Sequence, residues 1–217
     1  MASQPWIDWA WVRSHREVVF ELLREHIELT VLAVLLGLAL SLPLALAARR
    51  WRRLYPPVLV GTGILYTIPS LALFALLVPW TGLSRTTALV ALVSYTLLIL
   101  VRNIVAGLDG VPPDVVEAAT GMGYGGARRL VAVELPLALP TIVAGVRIAT
   151  VTTIGLVTVA ALIGHGGLGQ LILDGLNRDF RTPLAVGSVL SVAVAAVADL
   201  ALLGVQQRLT PWARRQG

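Results

Sequence analysis

The residues of this chain that could do chemistry are few and scattered, and their types favour docking and binding over catalysis. No carboxylate pair, histidine cluster or nucleophile–base arrangement occurs. There is no cysteine for thiol chemistry, disulfides or metal ligation. The longest polar-containing interval between two apolar stretches is 117–136, EAATGMGYGGARRLVAVELP. Ahead of it, Pro112-Pro113 stops one helix, and Pro113 or Asp114 can start another. Asp114 and Glu117 near that start complement the helix dipole. Ala118 and Ala119 keep the next turn slim, and Gly121, Gly123, Gly125 and Gly126 allow a sharp reversal because glycine tolerates positive φ. A second helix over about 127–134 follows, then Pro136 and Pro140. Such a helix–turn–helix can insert in a partner's groove or serve as a plain connection, and the residues alone leave both open.

Three other groups stand out. Gly164-His165-Gly166-Gly167-Leu168-Gly169 permits a tight turn or a close backbone approach. It is not a phosphate loop, since no Lys-Ser/Thr follows and no strand precedes it. His165 is read as a solvated loop residue, with a pH-sensing or substrate role as the alternative. Tyr66-Thr67-Ile68-Pro69-Ser70-Leu71 sits within an apolar stretch, where Pro69 predicts a kink and Thr67 and Ser70 can satisfy the freed carbonyls. A kink at membrane depth also suits the wall of a water-filled path. Arg102, Arg147 and Asp199 are ionisable groups inside apolar stretches. All three lie near a span end, which favours snorkelling, with an interhelix pair between Asp199 and one arginine as the second reading.

The elements that must position these groups are membrane spans. Of 217 residues, 57% are hydrophobic and 13% charged, about half the charged share of a soluble domain, and mean hydropathy is +0.82. Five apolar stretches reach the roughly 20 residues that a helical crossing needs: 27–48, 57–79, 86–108, 141–163 and 183–205. Strand-period alternation is absent, so the class is all-α. The loop at 109–140 is then a connection between spans, 1–26 an N-terminal interfacial tail and 206–217 a C-terminal tail. Ser14 to Glu17 has capping-box spacing for a short helix in that first tail. The net charge of +5 comes from arginine alone. Ten arginines (Arg49, Arg50, Arg52, Arg53, Arg102, Arg128, Arg129, Arg208, Arg214, Arg215) fall on one side and six (Arg13, Arg16, Arg24, Arg85, Arg178, Arg181) on the other. The positive-inside rule puts the 109–140 loop and the C-terminus in the cytoplasm and the N-terminus outside. The arginines form no patch with interleaved aromatics, so nucleic acid is not the expected partner.

With those elements placed, 117–136 resembles the EAA loop of ABC-importer permeases. The family pattern is E-A-A, three residues, Gly, nine residues, then Ile-x-Leu-Pro, and here Val133 stands in for Ile. The resemblance extends over roughly 29–212, through Pro43-Leu44, the TIPSLALF run of 67–74, IGHGGLG of 163–169, Asp199 and Leu209-Thr210-Pro211-Trp212. The chain is similar to permease subunits of osmoprotectant importers, which carry glycine betaine, choline, carnitine or proline betaine. Many relatives carry Gly at the position of His165.

That resemblance implies a type I importer fold in the cell membrane, with no catalysis, metal or cofactor of its own. ATP hydrolysis belongs to two cytoplasmic ATPases; a second permease subunit and an external substrate-binding protein complete the assembly, which works by alternating access. Glu117, Ala118, Ala119, Gly123, Arg128 and Pro136 become the ATPase-coupling residues. Tyr66, Thr67, Pro69, Ser70 and Tyr95 become translocation-path candidates. Tyr66, Phe74 and Tyr95 are the aromatics well within the spans, so a cation–π contact to a passing quaternary amine would use them. Gly164, His165, Gly166, Gly167 and Gly169 form an outer loop. The rival readings are a methionine-importer permease and, from another class, an ATP-independent secondary transporter or channel.

Overall fold

The computed structural model describes residues 6–212, and every regular element among them is helical. A short α1 (Trp9–Ser14) precedes α2 (Arg16–Arg50). A 3₁₀ turn, Arg52–Leu54, leads to α3 (Tyr55–Thr67), α4 (Ser70–Thr81) and α5 (Arg85–Asp109). Next come α6 (Pro113–Gly121) and α7 (Gly126–Arg129), and a π turn, Leu130–Glu134, runs straight into α8 (Leu135–Val159). After the 3₁₀ turn Ala160–Ile163, α9 (Gly169–Asn177) and α10 (Arg181–Leu209) complete the chain. Arg214 and Arg215 lie outside the described residues.

The core is built around α5, which packs against α2 on one flank and α8 on another. Its buried positions recur at helical spacing, Ala88, Ala91, Leu92, Tyr95, Thr96, Leu100, Ile104 and Leu108. Lipid tails are as apolar as leucine, so helices in a membrane gain most by approaching closely through small residues. On α2 those residues are Ala33, Gly37, Ser41 and Ala45, one per turn and all buried. A Cβ on Gly37 would lie 1.9 Å from the Thr96 hydroxyl oxygen. The α5–α8 contact repeats the device at Gly145, where a Cβ would meet Asn103 at 2.4 Å. Large apolar side chains such as Leu35, Leu40, Val189 and Val192 point outward, as lipid or a partner subunit requires.

Four helices are long and apolar enough to cross a membrane alone: α2, α5, the 126–163 segment and α10. The pair α3 and α4 is bent by 96° at Ile68 and Pro69. Ion pairs decide whether that pair crosses. The C-terminal end of α2 meets the C-terminal end of α5, with Arg49 and Arg52 on Asp109. The N-terminal end of α5 meets the other end of α2, with Arg85 on Glu28 at 2.9 Å. The chain leaves α2 at the first end and enters α5 at the second, so α3 and α4 together connect the two. The crossings number five, as expected, but the second is broken.

Two local expectations need correction. The first apolar helix begins at Arg16 rather than near residue 27. The Ser14–Glu17 capping box does not form: Asp8 caps α1 through Ala10 and Trp11 N–H, while Ser14 donates to the Trp11 carbonyl. His15 occupies the start of α2 without a side-chain cap, its ring stacked on Trp11 at 4.4 Å.

The close α2–α5 approach makes Gly37→Leu costly, by about 1–3 kcal/mol for overpacking. Gly61→Leu adds its side chain where nothing lies within 4 Å. Thermal midpoints followed by size exclusion in detergent should fall for the first variant and hold for the second. Equal midpoints would refute the packing argument.

Candidate functional site

At the end of the bundle carrying Arg49 and Arg52, α6 stands out as a short, slim helix. Pro112 is extended, with ψ 135°, and Pro113 occupies the first turn, where its missing N–H costs nothing. The helix stops in a Schellman motif. Tyr124 N–H donates to the Ala119 carbonyl at 3.1 Å and Gly123 N–H to the Thr120 carbonyl at 2.9 Å. Gly123 takes φ +82°, which this motif asks of its glycine. Ala119 faces inward, whereas Glu117, Ala118 and Met122 are exposed, and Glu117 makes no ion pair or hydrogen bond among the described residues. Arg128 lies with its guanidinium 4.4 Å over the Tyr124 ring and stiffens the far side of the turn.

The base of this projection is held by Glu134, a buried carboxylate that no local sequence pattern singles out. Arg49 Nη1 and Arg129 Nε both donate to it, the latter at 2.8 Å. Arg129 also reaches the Thr120 hydroxyl at 2.9 Å, on the last turn of α6. Arg49 continues to the Leu108 carbonyl at 3.1 Å and to Asp109 at 3.2 Å. One connected network therefore ties α6 to the ends of α2, α5 and α8. Pro136 sits just beyond, in the first turn of α8, where it cannot donate to the preceding turn. The chain passes through the five-residue π turn there, with Leu135 N–H on the Leu130 carbonyl.

At the broken second crossing the sequence located the right residue, Pro69, but expected a kink rather than a right-angled break. Ile68, ahead of proline, is extended with ψ 126° and ends α3. Thr67 donates at 2.8 Å to the Ile64 carbonyl, which already accepts from Ile68 N–H at 3.3 Å and is therefore not the one that Pro69 frees, while the Ile68 carbonyl is taken by the Tyr95 hydroxyl. No hydrogen bond of the Ser70 side chain stands among those of the described residues. Tyr95 and Phe74 are buried in the core. Tyr66 is exposed and packs edge-on against Tyr95, with ring centroids 6.0 Å apart. Beside it opens a cavity of about 540 Å³ between α3, α5 and α8, lined by Tyr55, Tyr66, Ile99, Arg102, Asn103 and Ile148 among others.

Two charge expectations resolve differently. Arg147 and Asp199 do not snorkel separately; they form a two-point pair at 2.9 and 2.9 Å across α8 and α10, with Arg147 also on Gln206 at 3.2 Å. His165 lies at the opposite end, its Nδ1 3.5 Å from Glu25. There Gly166, Gly167 and Gly169 lie against backbone: a Cβ would sit 2.1 Å from Ala161 N, 2.6 Å from His26 N and 2.3 Å from the Thr158 carbonyl. Gly164 is open to its surroundings at φ +84°. This glycine run packs the chain tightly onto α2 and α8.

Residues 33–214 match the family model described as the binding-protein-dependent transport system inner membrane component. The chain belongs to that family. Among curated permeases, the chain is 36% identical to the glycine betaine/carnitine/choline transport system permease protein OpuCB of Bacillus subtilis (strain 168), over 86% of each chain. It is 40% identical to the osmoprotectant import permease protein OsmW of Salmonella typhimurium, over 86% of this chain and 89% of the relative. The ergothioneine transport permease/ergothioneine binding protein EgtU of Helicobacter pylori (strain G27) is 43% identical over 63% of this chain, which is 25% of that longer protein. A chain of the MetNI methionine ABC transporter, solved in inward-facing form, shares the fold with a TM-score of 0.80 at 21% identity, covering 91% of this chain and 98% of that one.

Within this permease family member, the structure brings Ala119, Gly123, Arg128 and Pro136 into one turn-and-base unit and leaves Glu117 free at its surface. Removing the Glu134 carboxylate leaves Arg49 and Arg129 facing each other, a loss of about 3 kcal/mol on the scale of broken buried pairs. In hydrogen exchange, Glu134→Ala should deprotect the α6 amides, while Glu117→Ala should leave them at the wild-type rate. Unchanged α6 protection in Glu134→Ala would contradict the clamp.

Proposed function

We propose that this chain is the permease subunit of an ATP-binding-cassette importer that moves quaternary-amine osmoprotectants into the cell by alternating access. The observation that carries the reading is α6, an exposed slim helix with a free carboxylate at Glu117, stopped by the Gly123 turn and anchored at Glu134. That shape suits insertion in the groove of a separate ATPase, which hydrolyses ATP while the permease itself carries out no covalent chemistry. The arginine bias supports a cytoplasmic position for this end and for the C-terminus, with the N-terminus outside. Two permease subunits, identical or paired with a sister, two ATPases and an extracytoplasmic binding protein make up the assembly. Tyr66, with Thr67, Pro69 and Ser70 at the break and Tyr95 behind it, borders the translocation path.

Identity to permeases named for glycine betaine, carnitine and choline supports the substrate class. The methionine transporter shares the fold at 21% identity, which says nothing of cargo. Ergothioneine is a second candidate on the EgtU likeness.

Glu117→Lys places a cation where the docking carboxylate stands. Membrane insertion should be unaffected, while uptake and co-purification of the ATPase should fall at least tenfold. Normal transport with normal co-purification would sink the coupling role. Co-purified with ATPase and binding protein, the wild-type complex should show ATP hydrolysis stimulated by glycine betaine, choline or carnitine and not by methionine. Stimulation by methionine alone would overturn the substrate class.

A further inference from the structure

Arg102 presents an exposed guanidinium at the cavity beside the broken second crossing, with no partner among the described residues. Arg102 makes no hydrogen bond or ion pair among the described residues, although it sits seven positions above Asp109 on α5, roughly 10 Å from the helix end. Arginines inside apolar segments usually pair with acids or backbone carbonyls, snorkel to a nearby interface, or face a water-filled path. Arg147 on α8 takes the first course, with Asp199. Arg102 lines the cavity of about 540 Å³ together with Tyr55, Tyr66 and Asn103, and no acidic residue lines it. One N–H of the Asn103 amide goes to the Ile99 carbonyl at 2.8 Å, which leaves the guanidinium as the one positively charged donor among the cavity's lining residues.

The two tyrosines lie at the two ends of α3, and antiparallel α5 places Arg102 between their depths. An aromatic face attracts a quaternary ammonium, whereas a guanidinium repels it and binds a carboxylate in two-point fashion. A cavity that offers both, and no counter-charge of its own, suits a zwitterion whose ammonium and carboxylate ends lie a few bonds apart. We infer that Arg102 receives the carboxylate of a betaine-type cargo while Tyr66 meets its quaternary ammonium, and that this cavity makes the permease favour carboxylate-bearing quaternary amines over choline. The inference rests on the quaternary-amine reading above and adds a residue and a selectivity to it.

The test is uptake into proteoliposomes holding the complete complex of permease and ATPase, with binding protein supplied, using labelled glycine betaine and choline. In Arg102→Gln the ratio of glycine betaine to choline uptake should fall at least tenfold, with the complex recovered in wild-type yield. Arg102→Lys should restore part of the ratio. Tyr66→Leu should depress uptake of both solutes and leave their ratio near wild type, since both carry the quaternary ammonium. An unchanged ratio in Arg102→Gln overturns the inference, and so does loss of the assembled complex, which would assign Arg102 to a subunit contact. A wild-type complex that moves neither solute sinks the quaternary-amine reading itself, a result distinct from a wild type that transports and a variant that keeps its ratio.

Discussion

Glu134 is the point on which the arrangement depends. Its carboxylate is buried where the ends of α2, α5 and α8 converge, and it receives hydrogen bonds from Arg49 and Arg129. Burying a carboxylate is expensive unless geometry and hydrogen bonding are nearly complete, and here two partly exposed guanidinium groups supply them. Here Arg49 is also satisfied by Leu108 and Asp109, and Arg129 by Thr120. The result is a root that joins α6 to the ends of three membrane helices through one hydrogen-bond network.

The same helix that ends in this network also borders the cavity. Asp109 closes α5 at the network, Arg102 lies two turns above, and Tyr95 higher still holds the Ile68 carbonyl where the second crossing breaks. α5 is thus common to the Glu134 network, the cavity and the hinge-like break. Its close packing against α2 and α8 through Gly37 and Gly145 leaves little room to deform, which favours movement as a unit. The opposite end is secured differently, by the glycine run against α2 and α8 and by exposed pairs such as Arg85 with Glu28, which contribute little energy.

Features governed by local chain chemistry were legible in the sequence. A helix that reverses direction needs a residue tolerant of positive φ, which singles out Gly123, and it adopts φ +82°. Proline removes a donor and constrains its predecessor, which singles out Pro69. The 96° angle was not legible, since it also depends on the Tyr95 hydroxyl, 27 residues away in sequence from Ile68. Glu134 was hidden for the same reason: its partner Arg49 is 85 residues distant. The small-residue stripe Ala33, Gly37, Ser41, Ala45 was readable at one residue per turn and would have identified the α5-facing side of α2. Ser14 and Glu17 had the spacing of a cap, yet Asp8 supplied it, because spacing alone does not say where a helix begins.

The central claim is that the α6 turn docks on a cytoplasmic ATPase, and the absence of cysteine makes it directly testable. Met122 is exposed beside Gly123, so Met122→Cys introduces a single thiol at the tip. Treated in membranes with a short bismaleimide, this variant should form an adduct with a co-expressed ATPase carrying one engineered cysteine in its groove, and the thiol should resist impermeant reagents added to intact cells. A thiol that reacts from the external medium and yields no ATPase adduct would contradict the account.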